Sequence, residues 1–450
     1  MGAVEAWNEH KTRIKSALDS RWALPSATVL TGFHIAVFTA VIAQPGRLPM
    51  RSDSAIFQYA GWRMAEGVTL YTEIWEVKFP LAYKIPALLA FVSAGSPRVH
   101  HILNIALTIS VAVGSGLLVG LLIRDLTDDK HAAFLSAISV LLLPGYFYLP
   151  AFGFKAKFYV TFFMLLSVYL VRRGYPFLSG ASAAACIGFY QAALVVPFLA
   201  VGLGYQKQQV RGAIRAIAGG IALKVLTIVP VLRAGALEEM FVQVVLVSLI
   251  LESSSGSILQ NVLRGGQHFS FAAPGVLIGG VGILLSLSDY DWRDTWWISV
   301  AGVWFAIVAM FLDYDNFPDL IPGLMIVALG VGIVYHAADS PDRKAIIAGV
   351  IVLCLGLNLM NVLVFSGAVG GYPIDKAEPL SNLENVTHEN GPDAEFQVMR
   401  PDIKYLYWTT ADQQTCHVRL SSAELEWLRL TGKPISDKSC GDLDRASEHM

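Results

Sequence analysis

The sequence predicts an all-α polytopic membrane protein with about 11 transmembrane helices, and two observations carry this prediction. Aliphatic and aromatic residues make up 54% of the 450 residues, only 15% are charged, and the mean hydropathy is +0.53. A soluble globular protein of this length rarely has such a composition. Apolar segments also recur along most of the chain. The net charge of −2 and the scattered basic residues give no indication of a nucleic acid partner.

A basic segment precedes the first apolar one. In residues 1–22 the apolar side chains recur at helical spacing between basic ones, which predicts an amphipathic helix on the cytoplasmic surface. The apolar segment 25–43 follows. A secretory signal would have a shorter basic leader and a clearer cleavage site than Gln44-Pro45. We therefore expect a retained anchor whose N-terminal end lies inside.

Further apolar segments complete a transmembrane domain over residues 23–365. Several are shorter than the ~20 residues that a straight helix needs to cross the hydrocarbon core, so short or broken helices, or a locally thinned bilayer, are expected. The segments are 101–123, 132–149, 158–171, 177–189, 192–204, 213–232, 271–287, 296–311, 320–335 and 345–365.

The short apolar segment 81–94 decides the topology. It contains Pro86, and we assign it to a surface loop. With this choice the basic clusters lie in cytoplasmic loops, as the positive-inside rule requires, whereas an extra span here would place most of them outside. These basic residues are Arg124, Lys130, Arg172, Arg173, Lys207, Arg211, Arg215, Arg343 and Lys344. The external segments are then 47–99, 150–157, 234–270 and 313–318, where the active site should be assembled.

The segment 51–83 combines charged and aromatic residues. Apolar side chains recur at roughly helical spacing between residues 53 and 66, which predicts a helix lying in the membrane interface. A polar loop that happens to contain aromatic residues is the alternative. Charged, aromatic, glycine and proline residues follow one another in this segment in a characteristic order: Asp53, Tyr59-Ala60-Gly61-Trp62, Glu66-Gly67, Leu70-Tyr71, Trp75, Glu76, Lys78, Pro80 and Tyr83.

In their order, these residues resemble the first external loop of polyprenyl-phosphate-sugar-dependent glycosyltransferases, membrane enzymes of the glycosyltransferase-C fold that include the dolichyl-phosphate-mannose mannosyltransferases. Ser54 stands where the family usually has a second acid, and Phe79 replaces the first proline of its Lys-Pro-Pro motif. The resemblance implies transfer of a hexose, such as mannose, from a polyprenyl or dolichyl phosphate. It implies a glycan, lipid or protein acceptor on the non-cytoplasmic side, in the cell membrane.

A lipid-phosphate sugar donor requires a base and positive charge from the protein. The carrier phosphate is a good leaving group, so the protein must accept the proton of the attacking hydroxyl and stabilise the departing phosphate. Asp53 is the candidate catalytic base, and direct displacement would invert the anomeric configuration. Because Asp is a preferred N-cap residue, capping of the following helix is the alternative, and it is compatible with catalysis.

Substrate-binding candidates in the same loop follow from the resemblance. Lys78 matches the lysine associated with the carrier phosphate, and the alternative is a lysine that snorkels at the interface. Glu76 holds the acid position before the Lys-Pro motif and could orient Lys78 or bind the acceptor. Tyr59, Tyr71 and Trp75 are the aromatic candidates.

Other external loops add further candidates. Lys155 and Lys157 lie where relatives often place a charged residue, and they could hold phosphate or simply end a helix at the interface. In the loop 234–270, an apolar surface helix is expected to precede a flexible Gly-Gly turn, which suits a loop that orders on substrate binding. Arg264 and His268 flank that turn, and ordinary hydrogen bonding is the alternative for His268.

The turn 311–322 resembles a late motif of the family, in which an aromatic-rich external turn precedes a Leu-Pro helix start, and in this chain the turn is acidic. Asp313 and Asp315 could bind a divalent cation or sugar hydroxyls, or could be solvated, and we assign neither a metal nor another cofactor.

Residues 366–450 predict a small external α/β domain. No apolar run in this segment approaches membrane length, and a capping-box pattern at residues 421–424 predicts one helix. Cys416 and Cys440 could form a disulfide there or remain thiols, and Asn385 begins a glycosylation sequon.

A transporter or flippase of a lipid-linked sugar is the alternative function. Transporters place substrate ligands near the midplane, often within two related halves. In this chain the predicted spans carry almost no charge apart from Lys224, and no internal duplication is visible. The polar groups concentrate in loops on one side, which favours the glycosyltransferase.

Overall fold

The computed structural model describes residues 22–43, 48–50, 52–72, 74, 76–246, 258–288, 292–312, 317–365, 369 and 396–398. Within these residues the chain is helical apart from one pair of short parallel strands, β1 (Leu48–Met50) and β2 (Phe396–Val398). The α-helices are α1 (Ala23–Ile42), α2 (Ser52–Ala65), α3 (Leu81–Val92), α4 (Pro97–Thr127), α5 (Lys130–Ser139), α6 (Pro144–Tyr148), α7 (Ala156–Arg172), α8 (Pro176–Phe189), α9 (Val195–Arg233), α10 (Leu237–Phe241), α11 (Ile258–His268), α12 (Ala273–Ser288), α13 (Trp292–Ile307), α14 (Ile321–Ala337) and α15 (Pro341–Leu363). The all-α prediction is confirmed for this part of the chain.

Fewer helices than predicted are long and apolar enough to cross a bilayer. Six qualify in the described part of the chain, and a seventh arises if the bent pair 130–142 and 144–152 counts as one span. The predicted number of eleven is therefore not confirmed. Segments 158–171 and 177–189 form α7 and α8, helices of 17 and 14 residues, which are short for a straight crossing. The multi-pass membrane character of the protein stands.

Helix α9 is a hairpin and accounts for two of the predicted segments, 192–204 and 213–232. Gln208 and Gln209 leave the helical conformation, and Gln209 has a φ of 54°. Gly204 and Gly212 lie backbone to backbone across this break, which brings together residues that a continuous helix would keep two turns apart. The two arms of α9 therefore run in opposite directions.

Glycine allows α8 and the second arm of α9 to approach closely. A Cβ at Gly180 would collide with the backbone of Ala216, and one at Gly219 would collide with the backbone of Phe177. Small residues at such contacts are typical of helix pairs in membranes. Gly180 and Ala216 also line an apolar cavity between the two helices.

We predict that Gly180→Ala destabilises the bundle, because the backbone of Ala216 must move to admit the added methyl group. Overpacking of this kind costs about 1–3 kcal/mol, so the midpoint of thermal unfolding in detergent should fall. Gly349→Ala is the matched control, since a Cβ at Gly349 meets no atom within 4 Å. Equal midpoints for the two variants would contradict the close contact.

One local prediction is wrong and another stays a prediction. Residues 81–92 form α3, a helix of 12 residues that packs on α2 at Gly61 and Pro86 and is not among the candidate spans, so the assignment of segment 81–94 to the external loop stays a prediction. Gly265 and Gly266 form no turn but lie within α11, since the hydrogen-bonded helix continues to His268. The expected surface helix before them is described only as far as residue 246.

Ion pairs join the helices at one end of the bundle. There Arg172 and Arg173 both contact Asp125, and Lys344 lies 3.7 Å from Asp129. These belong to the basic clusters that the sequence assigns to the cytoplasmic side. Because α7 ends at Arg172, its first residue Ala156 lies at the opposite end, where the candidate site is built.

Most of the terminal segments lie outside the described residues. This applies to the predicted amphipathic helix of residues 1–22 except Trp22, to Asn385, and to Cys416 and Cys440. Of the predicted domain 366–450, the structure describes Val369 and β2, which pairs with β1 through Leu48 and Phe396.

Candidate active site

Asp53 and Lys155 form the first part of the site. Asp53 lies in the first turn of α2, where a carboxylate interacts favourably with the helix dipole, and its side chain is 53% exposed. Lys155 occupies the N-cap position of α7 and is buried. Its Nζ donates to Oδ2 of Asp53 at 2.6 Å. The two external segments are thus joined by a charged hydrogen bond, and Asp53 is a first-turn residue of α2, not its N-cap.

A glycine allows the two segments to meet. Gly153 has a φ of 111°, which favours glycine, and a Cβ at this position would collide with Nε2 of Gln58 on α2. Gln58 is itself held, because it donates to the carbonyl of Ser54 and lies 3.0 Å from Nδ1 of His101. The chain before Lys155 therefore rests directly on the helix that carries Asp53.

Lys78 and Lys157 share one aromatic ring. Their Nζ atoms lie 5.4 Å and 4.4 Å from the ring centroid of Tyr190, which follows α8. Ammonium groups at these distances are attracted by the face of the ring. Lys157, in the first turn of α7, also forms an ion pair with Asp319, whose side chain is only 4% exposed.

The start of α7 concentrates positive charge. Lys155 and Lys157 flank its first residue, and the unbonded N–H groups of a helix N-terminus add partial positive charge. With Lys78 on the same Tyr190 ring as Lys157, three ammonium groups lie near this end of the helix, two of them paired with Asp53 and Asp319. Such a location is suited to bind a phosphate group.

The segment before Lys78 is held by buried hydrogen bonds. Gln243 donates to the carbonyl of Tyr71 at 2.7 Å and accepts from the backbone N–H of Glu76 at 3.0 Å. Oε2 of Glu76 accepts from the hydroxyl of Tyr83, and Gln191 donates to the carbonyl of Val77. Glu76 and Tyr71 therefore shape the loop that presents Lys78.

Tyr71 is a buried anchor of this loop. Its φ of 75° is unusual for a residue with a side chain, and such a conformation persists only where the surroundings enforce it. Burial, together with the negative charge of Glu76, raises the pKa of the Tyr71 hydroxyl well above its usual value. The protonated hydroxyl donates to the carbonyl of Lys78 at 2.7 Å.

The remaining predicted site residues lie elsewhere or outside the described residues. Tyr59 is half-buried on α2, and Arg264 is exposed on α11. The ring of His268 packs edge-on against Phe317, two residues from Asp319. Trp75, Asp313 and Asp315 lie outside the described residues, and within those that are described no cluster of three or more His, Cys, Asp or Glu could hold a metal ion.

Sequence reasoning missed three residues of this site. Asp319 lies in the turn 311–322, which resembles a late motif of the family, so its position in that motif could have marked it as a site residue. Tyr190 and Gln243 carried no signal, because each follows or lies within an apolar run. Their contacts become visible only when α8, α10 and the first external loop are placed side by side.

Comparisons with known proteins bear on the fold and on the resemblance to a family. The profile of a family described as DolP-mannose mannosyltransferase matches residues 67–231. The dolichol phosphate-mannose mannosyltransferase of Haloferax volcanii is 29% identical over 452 residues, covering 95% of this chain and 98% of that protein. The crystal structure of ArnT from Cupriavidus metallidurans bound to undecaprenyl phosphate is similar with a TM-score of 0.52 and 16% identity, over 76% of this chain and 65% of that one.

The similarity to ArnT and the long apolar helices show a polytopic membrane protein of the glycosyltransferase-C fold. Within that class, the predicted resemblance to the dolichyl-phosphate-mannose mannosyltransferases is confirmed.

Proposed function

We propose that this glycosyltransferase moves a hexose, mannose by analogy with the Haloferax protein, from a dolichyl or related polyprenyl phosphate to an acceptor hydroxyl. The observation that carries the proposal is the location of Asp53, joined to Lys155, beside the cluster of Lys78, Lys157 and Tyr190. One group can accept a proton there, and the others can bind a phosphate. The comparisons give no support to the alternative of a transporter or flippase.

The reaction is a displacement at the anomeric carbon. The acceptor oxygen forms a bond to this carbon while the bond from the carbon to the carrier phosphate oxygen breaks, and the bonding electron pair leaves with the phosphate. Asp53 accepts the acceptor proton, for which its half-exposed carboxylate is accessible. Lys78 and Lys157 stabilise the charge that develops on the phosphate. Attack from the face opposite the phosphate inverts the anomeric configuration.

The site lies at the end of the bundle opposite the basic clusters, which supports an active site on the non-cytoplasmic side. We therefore place segments 47–99 and 234–270 and the region 366–450 outside, and the protein in the cell membrane. The acceptor is a glycan, a lipid or a protein hydroxyl.

The experiment is a transfer assay with purified protein in detergent. Radiolabelled dolichyl phosphate mannose is offered with three acceptors: a lipid-linked oligosaccharide, a glycopeptide and a peptide containing serine and threonine. Label on one of these acceptors supports the proposal, because no membrane compartment remains for transport. Absence of label from all three, with folded protein, would contradict it.

We predict that Lys78→Met raises KM for the donor roughly tenfold or more, because a charged contact to the carrier phosphate is lost. The matched control is Lys207→Met, which removes an exposed lysine at the opposite end of the bundle. An unchanged KM in the Lys78 variant would show that Lys78 does not bind the donor.

A further inference from the structure

An apolar cavity lies between α8 and the two arms of α9. It has a volume of about 540 Å³, and small residues of α8 and α9 leave it open. Its lining includes Gly180, Ala184, Val201, Gly220, Lys224 and Ile228. Lys224 is the one ionisable residue among the lining residues. An ammonium group beside such a cavity points to an occupant with an apolar body and a negative charge.

Within the described part of the chain, no carboxylate pairs with Lys224. Its Nζ lies 4.2 Å from the ring centroid of Phe79, and among the described residues it has no acidic partner. One turn further along α9, the carbonyl of Thr227 accepts a hydrogen bond from Lys84 at 2.9 Å. Two ammonium groups thus lie along one stretch of the helix. An anion from outside the chain would offset the cost of holding them there.

The segment from Lys78 to Lys84 connects the candidate active site to the helix that lines the cavity. Lys78 lies at Tyr190 in the site, while Phe79 contacts Lys224 and Lys84 contacts Thr227 on α9. Leu81, in the same segment, packs against Gly188 near the end of α8. A lipid in the cavity would therefore reach the site along the row of lysines.

We infer that Lys224 is a headgroup-positioning residue for the polyprenyl phosphate carrier, whose isoprenoid chain occupies the α8–α9 cavity. The inference rests on the proposed function for the identity of the carrier. The apolar lining takes the hydrocarbon, and Lys224 provides the positive charge that distinguishes a polyprenyl phosphate from a neutral polyprenol. The phosphate then passes from Lys224 to Lys78.

A binding experiment tests this inference without the transfer reaction. Full-length protein in neutral detergent is titrated with tritiated dolichyl phosphate and, separately, with tritiated dolichol. For Lys224→Met we expect roughly tenfold weaker binding of dolichyl phosphate, with dolichol binding unchanged. Lys224→Arg should retain most of the preference for the phosphate. Lys207→Met is the control for loss of a lysine elsewhere, and unfolding midpoints confirm that each variant is folded.

The cavity itself is tested by filling it. Val201→Trp should weaken binding of both lipids, because the indole occupies the space that the chain needs. Leu226→Trp is the matched control, since Leu226 lies on α9, is 70% exposed and does not line the cavity. Equal lipid binding by these two tryptophan variants would exclude the cavity as the site of the chain.

Two results would overturn the role of Lys224: wild-type affinity of Lys224→Met for dolichyl phosphate, or equally effective competition by phosphatidylglycerol. These outcomes differ from failure of the proposed function. A wild-type protein that transfers mannose while Lys224→Met binds the carrier normally refutes only the inference. A wild-type protein that binds dolichyl phosphate through Lys224 but labels no acceptor refutes the transfer.

Discussion

Replacing Asp53 by asparagine is expected to lower kcat for hexose transfer by roughly 10²-fold to 10⁴-fold, the usual contribution of a general base. The asparagine amide keeps the size of the side chain and an oxygen that can accept from Lys155, so the contact between α2 and α7 is preserved. It cannot accept the proton of the acceptor hydroxyl. Donor binding, measured with dolichyl phosphate, should change little. The assay is single-turnover transfer of radiolabelled mannose.

The matched control is Asp339→Asn, which alters an exposed carboxylate at the end of the bundle where α15 begins. It should transfer mannose at the wild-type rate. A fully active Asp53→Asn protein would remove Asp53 from the mechanism and leave its ion pair with Lys155 as a structural contact. A variant with normal kcat but a raised KM would instead assign Asp53 to substrate binding.

The sequence predicts the helical segments well because hydrophobicity is a local property. The predicted segments 101–123 and 345–365 fall largely within α4 and α15. Each of these helices extends beyond the start of its apolar segment into neighbouring polar residues. Span number is harder to predict, because it depends on how far each helix continues and where it bends. The predicted segment 132–149 shows this, since the structure forms it from two helical pieces, 130–142 and 144–152, that are bent by 85° relative to each other.

The site can be predicted from the sequence only where its residues belong to one motif of a single loop. Asp53 and Lys78 belong to one loop motif, so their order along the chain carried the information. The partner of Asp53 is 102 positions away, and the pair Lys157 and Asp319 joins the start of α7 to a residue 162 positions further along the chain. Such pairs depend on tertiary packing. Glu76 shows the limit within a motif, because its buried carboxylate accepts a hydrogen bond from Tyr83, a contact that its place beside Lys78 in the motif does not reveal.

Lys157→Met is expected to cause a large loss of stability, roughly 3–5 kcal/mol, as for other buried ion pairs that lose one partner. The Asp319 side chain is 4% exposed and that of Lys157 is 20% exposed, so solvent screens this pair weakly. The substitution removes the ammonium that offsets the desolvation of the Asp319 carboxylate. The measurement is the midpoint of thermal unfolding in detergent, with exposed Lys130→Met as the control.

The double variant Lys157→Met/Asp319→Leu separates the two roles of Lys157. Replacing both members of a buried ion pair by apolar residues is often close to neutral, so most of the lost stability should return. Transfer should not return with it, because the ammonium proposed to stabilise the carrier phosphate is still absent. If stability and transfer recovered together, Lys157 would act only by holding Asp319 and the start of α14 in place. A double variant no more stable than Lys157→Met would show that the ion pair is not what this substitution disrupts.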